Sequence, residues 1–257
     1  MKFTFTQYTE NPLGKANGVF THRQMYRDMY TQKFNKINLR EAGKIDYACY
    51  KEKASGRYFI HVKMPSEVVE KFYYDVVVEF YPDKATDSVK PTLENYNVRF
   101  FSNDPAFVYT FAYAFNKHDC FIKELAPRMA KRALTDKAME KNPKSLVGYV
   151  KSIYFTYIFM KSKNLFTKAR FEQEAKEINF NNLMRNIEPA DKWVIAREEA
   201  GKKQAAKDRE KKKETHDRII SDTSIQNRTV RAKVTKAVKT TGNIVSRSKK
   251  SKTTKKI

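Results

Sequence analysis

Tyr73-Tyr74-Asp75-Val76-Val77-Val78-Glu79-Phe80-Tyr81 is the run that decides the fold of this chain. Three consecutive valines between aromatics favour an extended backbone, because a branched Cβ loses rotamer freedom in a helix and packs well on a pleated surface. A continuous apolar centre suits a strand buried on both faces. Asp75 and Glu79 flank that centre four residues apart, so strand alternation puts both on one face. Pro82 has no N–H to give to a ladder and ends the run.

Working outward, Ile45–Glu52 and Arg57–Met64 read as a β-hairpin turning at Ser55-Gly56, with alternation visible in Ile45, Tyr47, Cys49 and in Phe59. Pro65-Ser66-Glu67 opens a short helical turn that the Ser66 hydroxyl can cap. After Pro82 a loop punctuated by Pro91 leads to a fourth strand, Tyr96–Phe101. The character then changes. Asp104-Pro105 is a helix start, and the predicted helix 105–117 is aromatic on most sides, which makes it central. Asp119 reads as the start of a second helix interrupted at Pro127, and Asn142-Pro143 repeats the start signal ahead of a wide apolar stripe over 145–161. Thr167 caps a further helix through Ile178. Pro189-Ala190-Asp191 opens a last one that begins with Trp193 and Ile195 and then turns almost wholly polar. The fold class is therefore α+β, a small antiparallel sheet covered by several helices.

Residues 1–43 are expected to form an extended N-terminal arm, with turn signals at Asn11-Pro12-Leu13-Gly14 and Asn17-Gly18. Within it, Met25, Tyr26, Met29 and Tyr30 fall on one helical stripe. The α+β core is expected over 44–190, a charged helix over 191–222, and a basic tail over 223–257 that is disordered unless bound.

Composition separates these parts. The chain has 257 residues and a net charge of +23, and all 34 aromatic residues lie at or before Trp193. From Ala200 onward there are 19 Lys or Arg against 5 Asp or Glu, and from Thr223 onward there are eleven cations and no acid. A body of about 190 residues can bury about 70% of its unfolded surface, enough for one core. The tail cannot build a core. It carries Arg228, Arg231, Lys233, Lys236, Lys239, Arg247, Lys249, Lys250, Lys252, Lys255 and Lys256, which are the candidate contacts to DNA or another anionic partner. About six phosphate contacts would give a log–log salt slope near −5. The tail has no aromatic side chain to stack on a base, so backbone contact is the mode it suits. Val230, Val234 and Val238 recur every fourth residue and would form an apolar stripe for packing on a partner protein.

Several classes of chemistry are not written in the chain. It has no phosphate loop, no Gly-x-Gly-x-x-Gly and no His-Glu-x-x-His, and only seven glycines. Cys49 and Cys120 are too few for a disulfide framework, and the four histidines are far apart in sequence. The N-terminal Met1–Thr6 lacks the apolar core of a signal peptide, and Ile153–Met160 is too short to span a bilayer. No catalytic residue, metal, cofactor or small-molecule substrate is expected. One catalytic alternative stays open: a metal-dependent nuclease using Asp75 and Glu79, with Lys63 of His61-Val62-Lys63 beside them.

The segment Asn97-Val98-Arg99-Phe100-Phe101-Ser102-Asn103-Asp104-Pro105-Ala106-Phe107, continuing through Phe115-Asn116-Lys117, resembles virion proteins of tailed bacteriophages of low-GC hosts, as does the Lys-, Asn- and Tyr-rich style over about residues 40–165. The resemblance is to head-to-tail or internal structural components and carries no functional residue. It implies a virion or host-cytoplasm location, with other subunits of an assembly as partners and DNA as a further one. The leading expectation is thus a non-enzymatic assembly component. A free sequence-independent DNA- or RNA-binding protein and the nuclease are the alternatives.

Overall fold

The computed structural model describes residues 2–10, 23–41, 43–67, 69–82, 91–191, 195–196 and 198–216. The valine run is the second strand of a five-stranded sheet in the order β4-β3-β2-β1-β5. Its strands are β1 (Tyr47–Glu52), β2 (Arg57–Pro65), β3 (Tyr73–Tyr81), β4 (Asn97–Ser102) and β5 (Ala175–Glu177). β1 to β4 pair antiparallel in sequence order, and β5 adds parallel to β1, with Cys49 opposite Ala175. Gly56, at φ +66°, makes the β1–β2 turn in a conformation that glycine adopts without strain.

The sheet is buried on both faces. On one, Tyr58, Ile60, Val62, Met64, Val76, Val78, Phe80, Val98 and Phe100 form an apolar floor. Above it lie α1 (Phe5–Glu10), α2 (Arg23–Arg40) and α4 (Lys151–Ser162). α4 is the central helix: Ile153, Tyr154, Phe155, Tyr157, Phe159 and Met160 are all buried, which is why its sequence is apolar nearly all round. The other face alternates Arg57, Phe59, His61 and Lys63 on β2 with Asp75, Val77 and Glu79 on β3 and Arg99 and Phe101 on β4. It is covered by a 3-10 turn at Lys123–Arg128 and by α6 (Phe180–Asn186), whose Phe180 ring lies edge-on to Phe59 at 5.4 Å.

The N-terminal segment departs from the expected arm. Phe3, Phe5 and Tyr8 are buried in the core, and the Phe5 ring meets Phe80, Phe100, Tyr157 and Phe166 at centroid distances of 5.2–6.1 Å. The Tyr8 hydroxyl donates to Gly148 O at 2.9 Å and accepts from Val150 N–H at 3.0 Å. α2 buries Phe34 and Ile37, and Tyr30 stacks on Tyr149. Residues 11–22, with both turn signals, and the Met25 and Tyr26 side chains lie outside the described residues. The physical reason for the difference is long-range. Phe3 O accepts from Val98 N–H at 3.0 Å, and residues 120–122 bond Phe100 along the same edge, so the outer edge of β4 is covered.

Other elements shift as well. The helix predicted from Asp104-Pro105 is present, with Asp104 Oδ1 accepting from Ala106 N–H at 2.8 Å. It passes through a π-helical turn at Phe107–Phe111 before α3 (Ala112–Lys117). Asp119 starts no helix: it sits at φ +57° in a turn, and the chain enters the 3-10 segment instead. Asn142 closes a turn by accepting from Leu146 N–H at 2.9 Å, and the helix that follows begins only at Lys151. The helix starting after Thr167 ends at Glu174 (α5, Lys168–Glu174) and passes into β5. The chain divides into two compact units, Met1–Gly201 and Lys202–Ile257. No helix among the described residues is long and apolar enough to cross a membrane.

Candidate functional site

Two polar clusters lie on the α6-covered face of the sheet, and Asp75 and Glu79 belong to different ones. They are on one face as expected, but a four-residue step along a strand is about 13 Å. Asp75 is buried. Its Oδ1 lies 3.0 Å from His61 Nε2, and its Oδ2 accepts from Asn103 Nδ2 at 2.8 Å and from Glu188 N–H at 3.2 Å. Asn103 Oδ1 in turn accepts from Asp75 N–H at 2.9 Å. Asp75 therefore fixes an imidazole on β2 and ties the chain leaving α6 to the end of β4. Lys63 is the register partner of Asp75 on β2. His61 and Lys63 line a polar cleft of about 280 Å³ with Asp46, Tyr47, Ala48, Tyr50 and Asn186. A carboxylate-oriented imidazole beside a cleft has the form of a general base and its orienter, and a nucleophile in hydrogen-bond reach would be needed to complete such a site.

Glu79 heads the second cluster. Its side chain is fully buried, with Oε1 3.0 Å from Arg57 Nη1 and 3.5 Å from Arg99 Nη1, while Oε2 has no hydrogen-bond partner. Arg57 also binds Glu52 at 2.7 Å and Glu124 at 2.8 Å, and Arg99 binds Asp119 at 3.0 Å and lies over the Tyr81 ring. Two arginines would ordinarily hold a carboxylate ionised, yet burial outweighs them and raises the Glu79 pKa above its ordinary value. By contrast the hydrogen bond from Arg57 holds the half-exposed Glu52 below the ordinary range. The cluster binds β2, β3 and β4 to the 3-10 turn. Glu79 is thus engaged away from Asp75, and the two carboxylates do not converge on one point. Among the described residues no group of three or more His, Cys, Asp or Glu is placed to hold a metal ion. The two cysteines are both buried thiols, pushed up by burial to about 12 for Cys49 and about 11 for Cys120.

A second cleft, about 460 Å³, lies beside the π-helical turn between Val108, Tyr109, Ala133 and Ala138, with Lys131, Arg132 and Lys137 balanced by Asp136 and Asp191. Its mixed charge favours no ligand class.

All fourteen tail residues singled out from sequence, the cations Arg228 through Lys256 and the valines Val230, Val234 and Val238, lie outside the described residues. What the structure does describe of the basic region is the 202–216 part of a helix that runs over 198–216; this part, here α7, has all seven of its Lys and Arg side chains exposed. None of the seven forms an ion pair with a described residue; Asp208 instead accepts from Gln204 Nε2 at 3.1 Å. Asp208 and Lys212, though spaced i, i+4, thus form no ion pair. No known protein family, curated protein or solved structure matches the chain.

Proposed function

We propose that this chain is a non-enzymatic structural component of a larger assembly, of the kind found in phage particles, whose basic C-terminal region contacts DNA. The observation that supports the reading is the partition of charge: 19 cations against 5 acids from Ala200 onward, in a chain that divides into units at Gly201. Cations gathered on a segment with no aromatic residue suit phosphates and not bases, through counterion release. The sheet clusters fit a holding role, since their charges are spent on one another and on main-chain groups. The valine stripe at 230, 234 and 238 favours a second reading, in which part of the tail packs on a neighbouring subunit.

Sedimentation of the full chain with duplex DNA at 50 and 200 mM salt tests the first reading against a chain ending at Asp222. We expect binding that weakens steeply with salt, by on the order of 10³-fold for six contacts, and a large loss on truncation with the body still folded. Undiminished binding by the truncated chain would overturn the tail's role. Cleavage of the DNA with a divalent metal, lost in Asp75→Ala, would favour the nuclease instead.

A further inference from the structure

Lys202, Ala206, Arg209, Lys213 and His216 follow one another at intervals of four, three, four and three residues along α7. At 3.6 residues per turn these five lie in one stripe down the helix, with Ala205 and Lys212 flanking it. The three acids of α7, Asp208, Glu210 and Glu214, all fall on the remaining surface, among Lys203, Lys207 and Lys211. Over 202–216 the three acids are therefore confined to one side of the helix. One half of the circumference carries Lys202, Arg209, Lys212 and Lys213 and no acid, a charge of +4. The other carries three cations and three acids and is neutral.

From this segregation we infer that α7 holds a second nucleic-acid contact, separate from the tail, in which the acid-free face lies against the phosphates of a duplex. The inference rests on the reading of the C-terminal region as DNA-contacting. Three features favour this partner. Along the stripe Lys202 and Arg209 are about 10 Å apart and Arg209 and Lys213 about 6 Å, a spacing set by the 1.5 Å rise and suited to successive phosphates. Ala205 and Ala206 are the two small side chains of the face and let the helix axis come close to a rigid rod. The opposite face is charged and not apolar, which does not suit a helix lying in a lipid interface. The four cations are exposed and form no ion pair with a described residue, so no intramolecular pair need break before they bind.

The experiment compares two triple variants of the full chain that remove equal charge. One replaces Lys202, Arg209 and Lys213 by Gln; the other replaces Lys203, Lys207 and Lys211 by Gln. Binding to a duplex DNA fragment is measured by fluorescence anisotropy from 50 to 200 mM salt, with polyglutamate as the acidic-protein probe. The stripe variant should lose affinity on the order of 10²-fold at 0.1 M salt, with a log–log salt slope shallower by about 2.7, and the control variant should lose far less. Equal losses would show that only net charge matters and would overturn the face. No loss in either variant while a chain ending at Asp222 fails to bind would place the whole contact in the tail, overturning this inference and leaving the reading beneath it intact. A parent chain that binds polyglutamate and not the duplex overturns both.

Discussion

Arg57 on the sheet and Arg209 on α7 are the same side chain in opposite situations. Arg57 is half-buried between Glu52, Glu79 and Glu124, each within 3.0 Å, with its guanidinium also over the Phe59 ring. Arg209 is exposed and makes no ion pair with a described residue. In the Glu79 cluster, charge is introduced together with its counter-charge and fastens strands to the segment that covers them. In α7, the acids keep to one side of the helix and the cations of the other side are left to the solvent. Net charge treats the two alike; only placement separates a cation already used by the fold from one still available to a partner.

The contrast is broken most severely from the aromatic side. Phe5 is fully buried among four rings. Phe5→Ala should cost about 3–5 kcal/mol in urea unfolding, through lost burial and the cavity left behind. If residues 2–10 were a detached arm, the loss would be no more than about 0.5 kcal/mol, as for a surface substitution.

That position also shows which parts of the fold were legible. β1 to β4 are read from local alternation and the valine run, because each presents enough side chains to show a period. β5 is three residues, Ala175-Lys176-Glu177, and has none; it is a strand because β1 offers it a parallel edge. Phe3-Thr4-Phe5 reads as a loose end by itself, and its burial comes from Val98, Phe100 and Tyr157, which lie more than ninety residues away in the chain. Asp119 carries a helix-start residue type but adopts φ +57°, where the turn and its pair with Arg99 decide its conformation. Of the candidate site, strand alternation puts Asp75 and Glu79 on one face, as they are. Their separation into two clusters depends on Arg57, Arg99, His61 and Asn103, whose register no local pattern reveals. The acid-free side of α7 is readable from spacing alone, through the 202, 209, 213 interval, but a count of cations hides it.

A smaller effect sharpens the comparison at Glu79. Its raised carboxyl pKa means that the folded chain favours the protonated form more than the unfolded chain does. The stability this group contributes is fully present below the unfolded value near 4.5 and is lost as pH rises through the folded value. Glu79→Gln mimics the protonated form, and Arg57 and Arg99 keep Glu52, Glu124 and Asp119 as partners. The variant should therefore match or exceed the parent at pH 7, by up to about 1 kcal/mol, in the manner of buried ion pairs replaced by neutral groups. Subtracting the parent's urea midpoint from the variant's at each pH cancels the opposite contributions of Glu52 and Asp119, whose carboxyls are lowered. That difference should climb between pH 4.5 and 7. A falling difference would mean that the arginines, not burial, control the group.

The smallest effect on stability belongs to α7, and its smallness is what makes it informative. Replacing Lys202, Arg209 and Lys213 together by Gln removes three exposed cations that pair with no described residue. Lys, Arg and Gln have nearly equal helix propensity, so the helix itself should hold. The expected change in urea-unfolding free energy is within about 0.5 kcal/mol. Removing three of the seven like charges relieves repulsion along the helix, so any residual change should be a gain at low salt that disappears at high salt. A salt-independent loss above about 1 kcal/mol would show these side chains fastened to other parts of the molecule, as Arg57 is. The distinction between charge used by the fold and charge left for a partner would then fail at α7, whatever the DNA measurements returned.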